Sequence, residues 1–206
     1  MSGGMGLRDL AEDLKRSLHD AAGLFNAAGD ADFERFLRLA AVPMQDKRPR
    51  TKLGQVTIAA DEPRVPLALD DFHRYKTHVW GSRAPQPWDP AYPGALPRIS
   101  AVNEGSAWAL VFDPPPTARH IATYGSTCRF WYFAVHHIDV EAALTTLAPA
   151  DRPLLLLRAQ AEAMRELTMR HVHKPVSLRD GYSGAPRNST PAALYEALMA
   201  EWKAAQ

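Results

Sequence analysis

One cysteine in 206 residues, Cys128, rules out an intrachain disulfide and any cysteine-rich zinc module. No run approaches the roughly 18 apolar residues of a membrane-spanning helix. The N-terminus carries no hydrophobic leader, which predicts a chain made and kept in the cytoplasm. Charge of one sign is lacking too. Twenty-four Lys and Arg stand against 23 Asp and Glu, a net charge of +1. Bulk electrostatics therefore predicts neither a nucleic-acid binder nor a membrane-surface binder. Glycines number only 12 and do not cluster. There is no P-loop, no G-x-G-x-x-G and no G-x-S-x-G, so no phosphate cradle or nucleophile elbow can be built in the usual way. What remains is 46% apolar and 23% charged, the make-up of a globular chain of one domain or one domain with a sizeable insertion.

Proline is the residue in excess. Seventeen of 206 is about 8%, against a usual share of roughly 5%. Five of them (Pro85, Pro87, Pro90, Pro93, Pro97) crowd a loop at 81–98, and Pro114, Pro115 and Pro116 follow. Proline removes a backbone donor and blocks helix continuation, so the chain should be helical at its ends and helix-poor in the middle.

Leu7, Leu10, Leu14, Leu18 and Phe25, with Ala11, Ala21 and Ala22, predict an amphipathic helix of about five turns. Gly29-Asp30 breaks it, Asp30 caps a second helix carrying Phe33, Phe36, Leu37, Leu39 and Ala40, and Pro43 ends that one. The pair should pack as a hairpin. Strand-like alternation follows at Gln55-Val56-Thr57-Ile58 and Tyr75-Lys76-Thr77-His78-Val79. Ile99 to Val102 and Trp108 to Phe112 flank Asn103-Glu104-Gly105 as a hairpin. Arg129 to Val135 is aromatic on both faces and predicts a central strand covered on both sides. Asp151 as N-cap and Pro153 in the first turn open a long helix. Its buried side is predicted at Leu154, Leu155, Leu157, Ala161, Met164 and Thr168. Its wet side is predicted at Arg158, Glu162, Arg165, Glu166 and Arg170. A turn-rich stretch at 174–189 leads to a last helix opened by Thr190-Pro191, with Leu194, Tyr195, Leu198, Met199 and Trp202 on one face. That helix either caps its own core or docks in a partner's groove.

The residues that might carry chemistry give little. His136 and His137 with Asp139, His171 and His173, and the lone His120 lack ligand spacing; adjacent strand residues point to opposite faces. Cys128 has no base in reach and reads as a buried, inert thiol. No catalytic, metal or cofactor residues are therefore expected. The one dense basic run is Lys47, Arg48, Arg50 and Lys52. Residues 47–100 carry nine basic and five acidic side chains. The run is either a solvated loop or a surface for an acidic partner or for passing nucleic acid through its phosphates.

The order of these features resembles a known family. It runs from a helix pair through "RPRTKLGQVTIAADEPRVPLALDDF", "WGSRAPQPWDPAYP", "LVFDPPPTA" and "RFWYFAV" to "DRPLLLLRAQAEAMRELTMR". This order is similar to that of the head-to-tail adaptor (connector, or head-completion) proteins of tailed bacteriophages and related prophages. "VTIAADEPRVPLALDDF" looks like the family's strand, polar turn and "lpaDf" return, "LVFDPPPTA" like its "l.l.P.Pta" strand end, and "PLLLLRAQAEAMREL" like its Ala-rich core helix. The likeness covers about residues 7–172; the 81–98 loop maps onto no family element.

The resemblance implies an α+β fold. A helical hairpin at 1–46 and a core helix at 147–173 would be interrupted by a β-rich insertion at 47–146, with an arm and short helix at 174–206. It implies a structural protein, not an enzyme, without cofactor. Such a protein forms a ring, usually of twelve, beneath the portal protein and above a tail or stopper protein, in the virion neck, assembled in the host bacterial cytoplasm. Lys47, Arg48, Arg50 and Lys52 would then border passing DNA, and Leu194, Tyr195, Leu198, Met199 and Trp202 would meet the portal. The rival reading is a small α+β enzyme or small-molecule-binding protein. It would use Trp108, Trp131 and Tyr132 as a pocket and His136 as an acid–base group.

Overall fold

Leu7, Leu10, Ala11, Leu14 and Leu18 form the buried stripe of α1 (Leu7–Leu18). The computed structural model describes residues 4–25, 29–81, 85–105, 107–170 and 190–205. The fold is α+β, in two units: Met1–Arg48 with His136–Gln206, and Pro49–Val135. The second boundary lies before the predicted 146, because Ile138 and Leu147 are buried in the core of the first unit.

In the helical unit α1 ends earlier than its apolar period predicted. His19 has φ 49° and the chain winds on as a 3-10 turn, His19–Leu24. The rewinding carries Phe25 onto the edges of Phe33 and Phe36, with centroids at 5.8 and 5.0 Å. Helix α2 (Ala31–Lys47) runs through Pro43, which was expected to end it. The bond lost is to the carbonyl of Leu39, whose residue is 44% exposed, so water can serve it. Ala40, Ala41 and Met44 stay buried on both sides of the proline and hold the helix straight through. Helix α4 (Arg152–Arg170) completes the core after a 3-10 turn, Pro149–Asp151. Leu155, Ala159, Ala163 and Leu167 line its buried stripe. Glu162, expected on the wet side, is 6% exposed, while Leu157 is only half-buried. Arg158 and Arg165 both bond Glu162 and keep it from water. Helix α5 (Pro191–Ala204) lies along α4.

The β unit holds two three-stranded antiparallel sheets. One has β6 (Thr127–Ala134) between β1 (Arg50–Thr57) and β3 (Phe72–Trp80). The other has β5 (Trp108–Asp113) between β2 (Arg64–Leu67) and β4 (Arg98–Asn103). The β4–β5 hairpin turns at Gly105, φ 82°, with Glu104 N–H donating to Ala107 O at 2.9 Å. Strand β2 was not predicted. It contains Pro66, which is tolerated because β2 is an edge strand. Helix α3 (Ala118–Tyr124) was also missed; Thr117 and His120 cap it reciprocally. Strand β6 is central but buried on one face only. Phe130 and Tyr132 fill the core, whereas Trp131 and Phe133 are half-buried. The cations of Arg74 and Lys76 lie 5.0 and 5.2 Å from the Phe133 ring centroid, so long polar chains cover that face.

Candidate functional site

Helix α5 starts as its sequence dictates, with Thr190 Oγ1 accepting from Ala193 N–H and Pro191 in the first turn. Tyr195, Leu198 and Trp202 pack, half-buried, against the helical core. Leu194 remains 38% exposed. The Trp202 ring sits between two cations, Lys47 Nζ at 5.3 Å and the Arg158 guanidinium at 5.5 Å. Lys47 Nζ also donates to the carbonyls of Lys203 (2.9 Å) and Ala205, so it caps the C-terminal turn of α5. Below the indole, Arg158 pairs with Glu162 at 2.5 Å and bonds the sulfur of Met199; Arg165 takes the other Glu162 oxygen at 3.2 Å. Two buried donors, Arg158 Nε and Trp202 Nε1, have no acceptor among the described residues.

The basic run is not one loop. Lys47 ends α2, and Arg50 opens β1. Arg48 Nε donates to Asp151 Oδ1 at 2.8 Å, so Asp151 spends its carboxylate there. In the β unit Arg50 and Lys52 share Asp71, at 3.9 and 2.7 Å. Asp71, which in the sequence stands out only as part of "LALDDF", is the centre of a network. Its Oδ1 accepts from Tyr132 O–H at 2.9 Å, and its backbone carbonyl from Val135 N–H at 2.8 Å. Burial raises the Asp71 pKa, but hydrogen bonds from Lys52 and Tyr132 and the charges of Lys52 and Arg50 outweigh it and hold it below the usual range. The bond to Asp71 raises the Lys52 ammonium above its usual range. Burial first, and Asp71 second, push the Tyr132 phenol up.

The remaining candidates are dispersed. His136 Nε2 donates to Arg48 O at 2.7 Å and its Nδ1 lies 3.2 Å from Thr146 Oγ1. His137 Nε2 lies 3.6 Å from Asp139. His171 and His173 lie outside the described residues. Among the described residues no three His, Cys, Asp or Glu side chains form a metal-holding group. Cys128 is fully buried, and burial pushes its thiol up to about 11. Tyr132, named for the rival's aromatic pocket, is 1% exposed and stacks on Phe72 at 5.3 Å, so it fills core. Trp108 packs against the same core. No helix of the described residues is long and apolar enough to cross a membrane.

No family model matches the chain. No curated protein matches it. Among solved structures, the chain is similar to one in the neck of an empty GTA particle computed with C6 symmetry. The identity is 15% over 91% of this chain and 87% of that one, with a TM-score of 0.31.

Proposed function

We propose that this chain is a structural virion protein, a head-to-tail adaptor that assembles as a ring between a portal and a tail. The observation that supports it is the element order. An N-terminal helix pair and α4 share one core, a single β insertion at Pro49–Val135 interrupts them, and a further helix, α5, follows. That is the order implied by the adaptor family which the sequence resembles. On this reading the work is done by interfaces. Helix α5 is the element that meets the portal, through Leu194, Tyr195, Leu198, Met199 and Trp202. Leu194 offers the first contact, and the others are available once the helix leaves its seat. Lys47, Arg48, Arg50 and Lys52 border the DNA path, contributing to the excess of basic over acidic side chains in residues 47–100.

The test uses the full chain and the portal ring encoded in the same genome. The expected result is a complex carrying many copies of this chain on one end of the portal, seen by mass photometry and electron microscopy. Failure of the two to associate at any concentration reached would overturn the reading. For the DNA path, Arg50→Gln removes the charge held most loosely by Asp71, at 3.9 Å. It should lower DNA retention in assembled particles without lowering Tm; unchanged retention would remove Arg50 from the path.

A further inference from the structure

Trp88 is 81% exposed, more than any other large apolar side chain among the described residues. Its loop is not slack. Asp89 N–H donates to Gln86 O and Tyr92 N–H to Asp89 O, both at 2.8 Å, and Asp89 Oδ1 accepts from Ala91 N–H at 2.9 Å. Pro93 and Pro97 are buried at the base. Arg119 donates to Pro90 O at 2.9 Å. His120 Nδ1 accepts from Thr117 N–H at 3.1 Å, so its Nε2 is the donor to Ala95 O, also at 3.1 Å. The loop backbone is thus held by hydrogen bonds, and the indole projects from it into water. That is how an interface anchor is pre-organised.

The chain also carries a surface of complementary character. On the helical unit, Leu39, Val42 and Met169 are 44%, 59% and 67% exposed. They line two hollows of about 320 and 550 Å³ that share Arg35 and Leu39, one of them between α2 and α4. Three ion pairs rim them, and in each the arginine is the more exposed partner. Arg38 is 63% exposed against 35% for Glu34, Arg165 63% against 6% for Glu162, and Arg35 45% against 21% for Glu166. The rim therefore exposes more arginine than glutamate, most of all at Arg38 and Arg165. Residues 85–97 hold a single charged side chain, Asp89, next to the indole.

We propose that Trp88 of one copy docks on the α2–α4 face of a second copy. The indole covers Leu39, Val42 and Met169 under an arginine, and Asp89 meets the arginine rim. The two surfaces differ, so the contact is head-to-tail, and head-to-tail contacts close into rings when the rotation allows. The proposal rests on the adaptor reading for its ring and gives that ring an interface.

Sedimentation velocity on the full chain tests it. The wild-type protein should associate with rising concentration. Trp88→Ala should weaken association at least about thirty-fold, equivalent to ~2 kcal/mol, with Tm unchanged. Leu39→Glu, on the receiving surface, should do the same. An equimolar mixture of the two variants should form a dimer that grows no further, because only one intact junction can form. A wild-type chain that stays monomeric throughout, or a Trp88→Ala chain that associates as the wild type does, overturns the proposal. An unfolded Trp88→Ala chain also overturns it, since the indole would then serve its own fold. If the portal still gathers this chain while Trp88 has no effect on self-association, this interface fails and the adaptor reading stands. If self-association follows Trp88 and the portal does not bind, the outcome is the reverse.

Discussion

Removing the Trp202 ring should release α5 from its seat. The side chain is half-buried against the helical core and flanked by Lys47 and Arg158. Truncating a fully buried Trp costs about 3–5 kcal/mol, so about 2 is expected for one half covered. The two cation–π contacts add roughly 0.5–1 kcal/mol each. The sum for Trp202→Ala is about 3 kcal/mol. In a chain of this length that lowers Tm by about 6–12 °C. A 14-residue helix is marginal alone, so an undocked α5 should fray and its amides exchange quickly. Trp202→Phe is the control. It keeps a ring and deletes an N–H that has no acceptor among the described residues, so it should cost under about 1 kcal/mol. Lys47→Met removes the donor to the last-turn carbonyls and one cation–π contact, about 1–2 kcal/mol. The double variant should show a coupling of about 0.5–1 kcal/mol, because Lys47 and Trp202 share one contact. A Trp202→Ala protein with wild-type Tm and unchanged exchange protection over residues 191–204 would refute this account.

The Asp71 network sets a pH window. The folded pKa of Asp71 is lowered, so its contribution is present above its unfolded value of about 3.9 and lost as pH falls through the folded one. The folded pKa of Lys52 is raised, so its contribution is full below about 10.4 and lost as pH rises through its folded value. Asp71→Asn should cost about 1–2 kcal/mol at neutral pH and flatten the acid limb in urea melts across pH; an acid limb left intact would assign it to other groups. Gly54→Ala places a Cβ 2.6 Å from Cζ of the fully buried Phe130 and should cost about 1–3 kcal/mol, read as a lower Tm; no change would mean that the ring can step aside. Cys128, with its thiol pushed up to about 11, should resist alkylation at neutral pH until denaturant is added; rapid labelling of the folded protein would show that the β core opens.

Much of the chain is written in local signals. The existence of α4, the Thr190-Pro191 start of α5 and the Gly105 turn each need only a few neighbouring residues to specify them, and each is present; the faces of α4 differ from the reading at Leu157 and Glu162. Local rules misled where packing outweighs them. Pro43 is a breaker by itself, yet Ala40, Ala41 and Met44 gain enough burial on either side to carry α2 past it. Strand β6 looks two-sided because its residues are aromatic, but only the tertiary fold decides that Arg74 and Lys76, and not a second layer, cover Phe133. Asp71 lies 19 residues from Lys52 and 61 from Tyr132, and no spacing in the sequence ties them. The same holds for Lys47, which reads as one of four equivalent cations and turns out to cap a helix more than 150 residues away. Amphipathic period and turn chemistry act over a few residues, so most elements are legible locally; β2, with Pro66 inside it, and the seven-residue α3 are not. Which face meets which partner depends on contacts distant in the chain. Long-range packing lays α5 along α4, brings Arg158 and Arg165 onto the buried Glu162, and leaves Trp88 in water.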